Sequence, residues 1–244
     1  MLRSFYIAST GMLAQRSKMD IVTNNIVNAD TTGYKNDTLI TRSFKDMLIQ
    51  GMDGTLIGAQ NTGIYVDDVS TSYTQGDLEE TGRLLDLALA GDGFFVLNTA
   101  DGLRYTRNGA FAASPEGYLV NSDGNYVQGN NGRIYVGSGE FVVGEDGSVS
   151  VKGTVTDKLR IVTFGDLAGL QKVESNMFEA GTAGAPQAAT DCKVKQGYLE
   201  GSNVNVSDEM VSLVELNRAY QVNQRVLTML DQSLSKTVND VGRV

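Results

Sequence analysis

Both ends of the chain carry the hydrophobic pattern of amphipathic helices, with apolar side chains recurring in steps of three and four. The apolar face of each predicted helix is wider than a single coiled-coil seam, so each helix needs partners to cover it. Neither Pro nor Gly occurs between Ser207 and Asn239, and Ser207 is the predicted N-cap of the second helix. The positions expected to pack between helices and between subunits are Phe5, Met12, Met19, Ile26, Met210, Leu213, Tyr220 and Leu227.

The segment between the helices has a different composition, because it holds both prolines and all but two of the 28 glycines. Short apolar runs alternate there with residue pairs that suit hairpin turns, such as Asn108-Gly109 and Asp123-Gly124. This spacing predicts an antiparallel sandwich or irregular barrel. Its expected core residues are Leu87, Leu89, Phe94, Val96, Tyr105, Phe111, Leu119, Val127, Ile134, Val142, Val149, Leu159, Ile161 and Phe164.

These patterns together predict an α+β fold. The two terminal helices are expected to form a discontinuous antiparallel helical hairpin, with a mainly antiparallel β domain inserted between them. The predicted ranges are 1–35 for the N-terminal helix of a helical core, 36–75 for a linker region, 76–192 for the inserted β domain, 193–204 for a return segment and 205–244 for the C-terminal helix of the core.

Charge and composition narrow the possible functions. The formal net charge of −9 falls in the middle of the chain, since the charges of the two helical ends cancel. An acidic middle without a basic patch disfavours nucleic acid as a partner. There is no His and only one Cys, Cys192, which excludes His-dependent nucleophilic sites, His-based zinc sites and an intrachain disulfide. No cofactor, metal site or catalytic residue is therefore expected.

Targeting patterns are also missing. Arg16, Lys18 and Asp20 interrupt the apolar start, so we expect no cleaved signal peptide. No apolar run reaches the length of a membrane span. Asn121, Asp123 and Asn125 resemble a calcium loop, but a glycine stands at the wrong place and no closing Glu follows, so a hairpin turn is expected.

Three separated motifs resemble one known family. The most specific lies after the first helix and ends in a Thr, a Gly, an aromatic residue and a Lys. Its residues are Asn25, Asn28, Ala29, Thr31, Gly33, Tyr34 and Lys35. The central and C-terminal motifs are Leu85–Leu89, Gly91–Val96, Tyr105–Gly109 and Gly197–Val204. In order and spacing they are similar to those of the axial proteins of the bacterial flagellum, the rod and hook proteins of the basal body. Asp30 is a mild departure from the family pattern.

The resemblance implies a structural subunit of the flagellar rod, because hook proteins are usually longer. Such a subunit would self-assemble through its terminal helices into a helical tubular drive shaft and would not be an enzyme. Its implied partners are itself, other rod and hook proteins, the flagellar export apparatus and the surrounding ring proteins. Its implied place is the extracytoplasmic basal body, reached without cleavage of the N-terminus.

Two other interpretations remain open at this point. A secreted β-rich glycan-binding or glycan-cleaving protein with a helical stalk would explain the β segment and the acidic residues, and a carboxylate pair could then cleave the glycan. It would not explain two helical ends or the missing secretion signal. A monomeric α+β protein that buries both helices within one chain is the third interpretation.

Overall fold

A computed structural model describes residues 2–44, 47–50, 56–60, 63–137, 141–173, 176–189 and 192–241 of the 244-residue chain. The chain divides into two compact units. The helical unit comprises Met1–Val27, Asp37–Thr71 and Asn205–Val244, and the β unit comprises Asn28–Asn36 and Ser72–Val204. Helices at the two ends and a β-rich antiparallel insertion between them confirm the predicted α+β fold.

The helical unit contains two long helices and two small antiparallel sheets. Its elements are α1 (Leu2–Val27), β1 (Asp37–Ser43), β2 (Met47–Gln50), β3 (Leu56–Gln60), β4 (Ile64–Thr71) and α2 (Val206–Val241). Strand β1 pairs with β4, and β2 pairs with β3. The helices run antiparallel, since Gln15 contacts Asn223 at the middle of both helices, while Asn25 near the end of α1 contacts Glu209 near the start of α2.

Helix α2 begins one residue before the predicted cap. The side-chain oxygen of Asn205 accepts hydrogen bonds from the backbone N–H of Ser207 at 3.0 Å and of Asp208 at 3.5 Å, which is the role of an N-cap. The prediction of Ser207 as cap is therefore wrong, because Asn205 supplies a short acceptor one position before the helix. Asp208 and Glu209 do lie in the first turn, where the helix dipole favours acidic side chains.

The β unit is built from short strands. They are β5 (Leu78–Glu80), β6 (Leu87–Ala90), β7 (Phe94–Thr99), β8 (Gly102–Thr106), β9 (Ala112–Ala113), β10 (Leu119–Val120), β11 (Tyr126–Val127), β12 (Phe141–Val143), β13 (Ser148–Val151), β14 (Thr154–Lys158), β15 (Ile161–Thr163), β16 (Gln171–Val173), β17 (Met177–Glu179), β18 (Gln187–Ala188), β19 (Lys193–Gln196) and β20 (Tyr198–Glu200). A short 3-10 helix covers Leu167–Gly169.

Strand β7 is the centre of the largest sheet. Among the described residues this sheet has the order β16-β17-β8-β7-β11-β10-β9, with β15 also paired to β7 and β18 to β15. A second sheet has the order β12-β13-β14, and the pairs β19-β6 and β20-β5 complete the unit. The strand pairs described within these sheets are antiparallel, as the hairpin signals predicted.

Two hydrophobic clusters pack on opposite faces of β7, because successive side chains of a strand alternate between its faces. Phe95 and Leu97 belong to one cluster, and Phe94 and Val96 belong to the other. The predicted core residues are buried at most positions, but Val142 is 59% exposed. Its neighbours Phe141 and Val143 point inward instead, so the predicted inward phase of that strand is wrong by one residue. Ile161 is half-buried.

The turn predictions hold at most but not all glycines. Gly102, Gly117, Gly124, Gly132 and Gly147 have positive φ. The predicted turn at Asn108-Gly109 is wrong: a Cβ on Gly109 would overlap the carbonyl oxygen of Leu87, so this glycine permits a close backbone contact. The segment from Asn121 to Asn125 is the predicted hairpin turn, and the side-chain oxygen of Asn121 accepts the Asn125 N–H at 2.8 Å.

Candidate functional site

Few side chains of the two helices are fully buried. On α1 from Ser4 to Val27 only the side chains of Ala14 and Asn25 are buried, and on α2 none is buried from Val206 to Asn239. A helix of 36 residues with no buried side chain from Val206 to Asn239 is unusual for a free-standing globular domain. Large apolar side chains are exposed at Tyr6, Ile7, Leu13, Val27, Met210, Val211, Val214, Val222, Val226, Met229 and Val238.

Seven of the eight predicted packing positions are neither fully buried nor fully exposed. Met210 is 53% exposed. The other seven are half-buried, namely Phe5, Met12, Met19, Ile26, Leu213, Tyr220 and Leu227. Each of the seven therefore keeps some accessible surface in the single chain.

Polar contacts set the pairing of the helices. The amide of Asn223 donates to the side-chain oxygen of Gln15 at 3.1 Å. The amide of buried Asn25 donates to Glu209 at 3.3 Å and to the backbone carbonyl of Asp37 at 2.9 Å. Asn25 also accepts the Asp37 N–H at 3.1 Å, so one signature residue joins α1, β1 and α2. Such contacts specify a pairing more than they stabilise it.

A groove of about 450 Å³ lies within the helical unit, between α1, α2 and β1. Its apolar lining includes Ile21, Val22, Leu39, Leu216 and Ala219. The charged residues of its lining are Lys18, Asp37, Glu209 and Glu215, so carboxylates outnumber the single ammonium group.

The rest of the signature turn belongs to the β unit. Thr32 donates to the side chain of Asn108 at 2.9 Å, and the Gly33 N–H donates to the backbone carbonyl of Glu200 at 2.7 Å. Gly33 has φ of 67°, and a Cβ there would lie 2.5 Å from the backbone nitrogen of Asn108, so no other residue fits without displacement. Tyr34 is buried, and the Lys172 ammonium lies 3.8 Å from the centre of its ring.

At the start of the same motif, the Thr31 hydroxyl donates to the side-chain oxygen of Asn28 at 3.2 Å. The Thr31 N–H also donates to the backbone carbonyl of Asn28 at 3.1 Å, which closes a turn directly after α1. Ala29 is half-buried beside it.

An ionic cluster lies in the interior of the β unit. One carboxylate oxygen of Glu200 accepts hydrogen bonds from the Lys35 ammonium at 2.5 Å and from the Gly76 N–H at 3.1 Å. The other oxygen accepts from the guanidinium of Arg107 at 3.2 Å. The side chains of Lys35 and Glu200 are fully buried, and that of Arg107 is almost so. The Lys35 ammonium also donates to the backbone carbonyl of Thr74 at 2.7 Å.

The cluster holds two buried cations against one buried anion. Asp92 lies 4.0 Å from the Arg107 guanidinium, but its side chain is 95% exposed and therefore balances little of the charge. Burial lowers the pKa of the Lys35 ammonium, against the opposing effect of the hydrogen bond and charge of Glu200. The Arg107 guanidinium also lies over the ring of Phe94 at 5.3 Å, which connects the cluster to the core.

Each member of this cluster comes from a different one of the three sequence motifs. Lys35 ends the first, Arg107 stands in the central one and Glu200 in the last. Sequence reasoning selected Lys35 but missed Arg107 and Glu200 as its partners. The sequence did contain one signal for this cluster, because each motif has a charged residue among apolar, glycine and amide residues. The cluster therefore brings one residue of each motif into direct contact.

Other chemistry is sparse in the described part of the chain. No group of three or more acidic or Cys side chains there could hold a metal ion. None of the helices in that part has the length and hydropathy that crossing a membrane requires. Burial raises the pKa of the Cys192 thiol, which makes the thiol less reactive.

Comparison with protein families matches each of the three motif regions. Residues 5–35 match the family described as flagella basal body rod protein. Residues 88–151 match the flagellar hook protein FlgE/F/G D1 domain, and residues 195–240 match the flagellar basal body rod FlgEFG protein C-terminal region.

Curated relatives match over nearly their whole length. The flagellar basal-body rod protein FlgG of Bacillus subtilis is 36% identical, over 98% of this chain and 99% of the relative. The flagellar basal-body rod protein FlgF of Caulobacter vibrioides is 35% identical, over 99% of this chain and 97% of the relative. The flagellar hook-basal body complex protein FlhO of Bacillus subtilis is 29% identical over the full length of both.

The fold and the site define a structural protein whose terminal helices flank a β-rich insertion and leave apolar surface for assembly. The matches then identify the family: the chain belongs to the flagellar basal-body rod proteins. It is a flagellar structural protein of the basal body, and its family assembles with other axial proteins. The comparisons give no support to the glycan-binding or glycan-cleaving alternative.

Proposed function

We propose that the chain is a rod subunit that assembles with copies of itself through its terminal helices into a helical tube that transmits rotation. The observation that carries this proposal is the exposed apolar surface of α1 and α2. Among the described residues, α2 has no buried side chain from Val206 to Asn239, although exposed valines and methionines recur along it. In this proposal, neighbouring subunits bury that surface.

The energy of this burial is large enough to drive assembly. Removing apolar surface from water contributes about 25 cal/mol per Å², so a few hundred Å² per neighbour gives on the order of several kcal/mol before association costs. Head-to-tail contacts between identical subunits do not close on themselves unless their rotation closes a ring, and otherwise generate a helical filament. The half-buried packing positions, from Phe5 to Leu227, would complete their burial in the assembled state.

Within the rod we assign residues 1–35 and 205–244 to the helical core, 36–75 to the linker region, 76–192 to the inserted β domain and 193–204 to the return segment. The subunit has a mechanical and not a catalytic role in this proposal. It reaches the rod through the flagellar export apparatus without N-terminal cleavage, and ring proteins surround the assembled rod. This route is what the resemblance of the three motifs to flagellar axial proteins implies.

Substitution at two of the predicted packing positions tests the proposal. We expect Leu213→Asp or Met12→Asp to abolish assembly of the purified chain, because a carboxylate cannot be buried there without a partner. The β unit should stay folded, which near-ultraviolet circular dichroism can show. The control is Gln232→Asp, which introduces the same carboxylate at an exposed position of α2. If the Leu213→Asp or Met12→Asp variant formed normal filaments in the electron microscope, the proposed role of the helices in assembly would be contradicted.

A further inference from the structure

We propose that the groove of the helical unit receives α1 from a second copy of this chain, with Leu13 in the apolar part of the groove and Arg16 against Glu215. This inference rests on the proposed function, because it names the surfaces through which the subunits would join. It commits to a second copy as the occupant.

The outer face of α1 supplies the incoming surface. Tyr6, Leu13, Arg16, Asp20 and Val27 follow one another at helical spacing, and all five are exposed. Leu13 is 60% exposed and Val27 is 74% exposed, although both are large apolar residues that favour burial. We call this set the outer stripe of α1.

The groove can cover the exposed apolar side chains of the outer stripe. Its apolar lining, which includes Ile21, Leu216 and Ala219, is open to solvent and large enough for several side chains. Its charged lining has three carboxylates against the ammonium of Lys18, so a guanidinium is the favoured incoming charge. In the described part of the chain, neither Arg16 nor Glu215 forms an ion pair, and both are exposed.

A single copy cannot fill its own groove in this way. At 100° per residue, the outer stripe and the α1 residues that line the groove point about 150° apart around the helix axis. The two surfaces therefore lie on nearly opposite sides of α1. A contact between two different surfaces of identical subunits is heterologous, and repeating it adds copies without limit unless a ring closes. This is the contact that a filament requires.

Charge reversal tests the pairing of Arg16 with Glu215 directly. Arg16→Glu places two carboxylates in each contact, and Glu215→Arg places two guanidinium groups there. We expect either variant of the full chain to need about tenfold or more protein for half-maximal assembly, because facing like charges oppose the contact. Light scattering and electron microscopy measure the concentration dependence. Arg225→Glu and Asp231→Arg are matched charge reversals at exposed α2 positions outside the groove, and should assemble like the unmodified chain.

Mixing the two variants is the sharper measurement. In an equimolar mixture, the new carboxylate of the Arg16→Glu chain can face the new guanidinium of the Glu215→Arg chain. The next contact can then pair the native Arg16 of the second chain with the native Glu215 of the first. Assembly should therefore return to near the concentration dependence of the unmodified chain. Thermal unfolding of each variant alone verifies that it is folded.

The outcomes separate this inference from the proposed function. Variants that assemble normally, or a mixture that assembles no better than either variant, would overturn the inference and leave the proposed function intact. Failure of the unmodified chain to assemble by itself at any concentration would contradict both. A groove filled only by a different axial protein would overturn the choice of occupant.

Discussion

Glu200→Gln removes one charge from the interior of the β unit while it preserves the size of the side chain. In the unmodified protein the carboxylate of Glu200 contacts both Lys35 and Arg107, and its side chain is fully buried. The amide oxygen of Gln can still accept hydrogen bonds, but the neutral amide cannot neutralise either cation. Two buried positive charges then remain close to each other, with only the exposed Asp92 as a nearby anion among the described residues.

The expected loss of stability is large compared with that of an ordinary surface change. Removing one partner from a buried ion pair costs about 3–5 kcal/mol, because the remaining charge stays buried without compensation. Domains of this size have free energies of unfolding of about 5–15 kcal/mol, so the β unit should remain folded but be much weaker. At a urea dependence of about 2 kcal/mol per molar, the unfolding midpoint should fall by roughly 2 M.

Urea unfolding followed by tyrosine fluorescence is the assay, since the chain has ten Tyr and no Trp. The control is Glu179→Gln, which breaks the 2.6 Å ion pair with Arg104 on the same unit. The Glu179 side chain is 50% exposed, so that loss should stay below about 1 kcal/mol.

A double variant tests whether the loss of stability in Glu200→Gln arises from unpaired buried charge. Adding Lys35→Met to Glu200→Gln removes one of the two uncompensated cations, so the double variant should be more stable than Glu200→Gln alone. If the urea midpoint of Glu200→Gln were no lower than that of Glu179→Gln, the view that the ionic charge balance stabilises the β unit would be refuted.

Two further predictions concern the β unit. The pKa of Lys35 is lowered from 10.5 by burial, so the unfolded state binds more protons between the lowered value and 10.5, and stability should rise with pH in that window. Urea unfolding at several pH values up to about 10 should show this gain in the unmodified chain relative to Lys35→Met, and parallel pH profiles would contradict it. Gly109→Ala should cost about 3 kcal/mol or more in thermal unfolding, because its Cβ would overlap the Leu87 carbonyl oxygen. Gly165→Ala, which meets nothing within 4 Å and lacks a positive φ, should change stability by less than about 1 kcal/mol.

Much of the fold could be predicted because it follows from local periodicity. The spacing of apolar residues identified both helices, and the glycine-containing pairs identified most of the hairpins. Periodicity could not set the phase of a strand as short as β12, where Phe141, Val142 and Val143 are all apolar. It also could not distinguish a turn glycine from Gly109, whose role depends on a strand distant in sequence.

The candidate sites were harder to predict because each depends on residues that are far apart in the chain. The eight predicted packing positions were chosen from spacing alone, and spacing could not tell that Met210 is exposed while the other seven are half-buried. Pairing Lys35 with Glu200 and Arg107 required knowledge of which motifs meet in space, and a sequence without its fold contains no distance between them. The groove beside Glu215 likewise forms only when α1, α2 and β1 come together.

The hydrogen bond between Lys35 and Glu200 joins residues 165 positions apart. A contact of such long range forms late, since the chain between its partners must first be made compact. If the chain is exported unfolded through the apparatus that we propose, Lys35 and Glu200 cannot meet until both have left the export apparatus. The β unit would then be completed only after most of the molecule has been delivered.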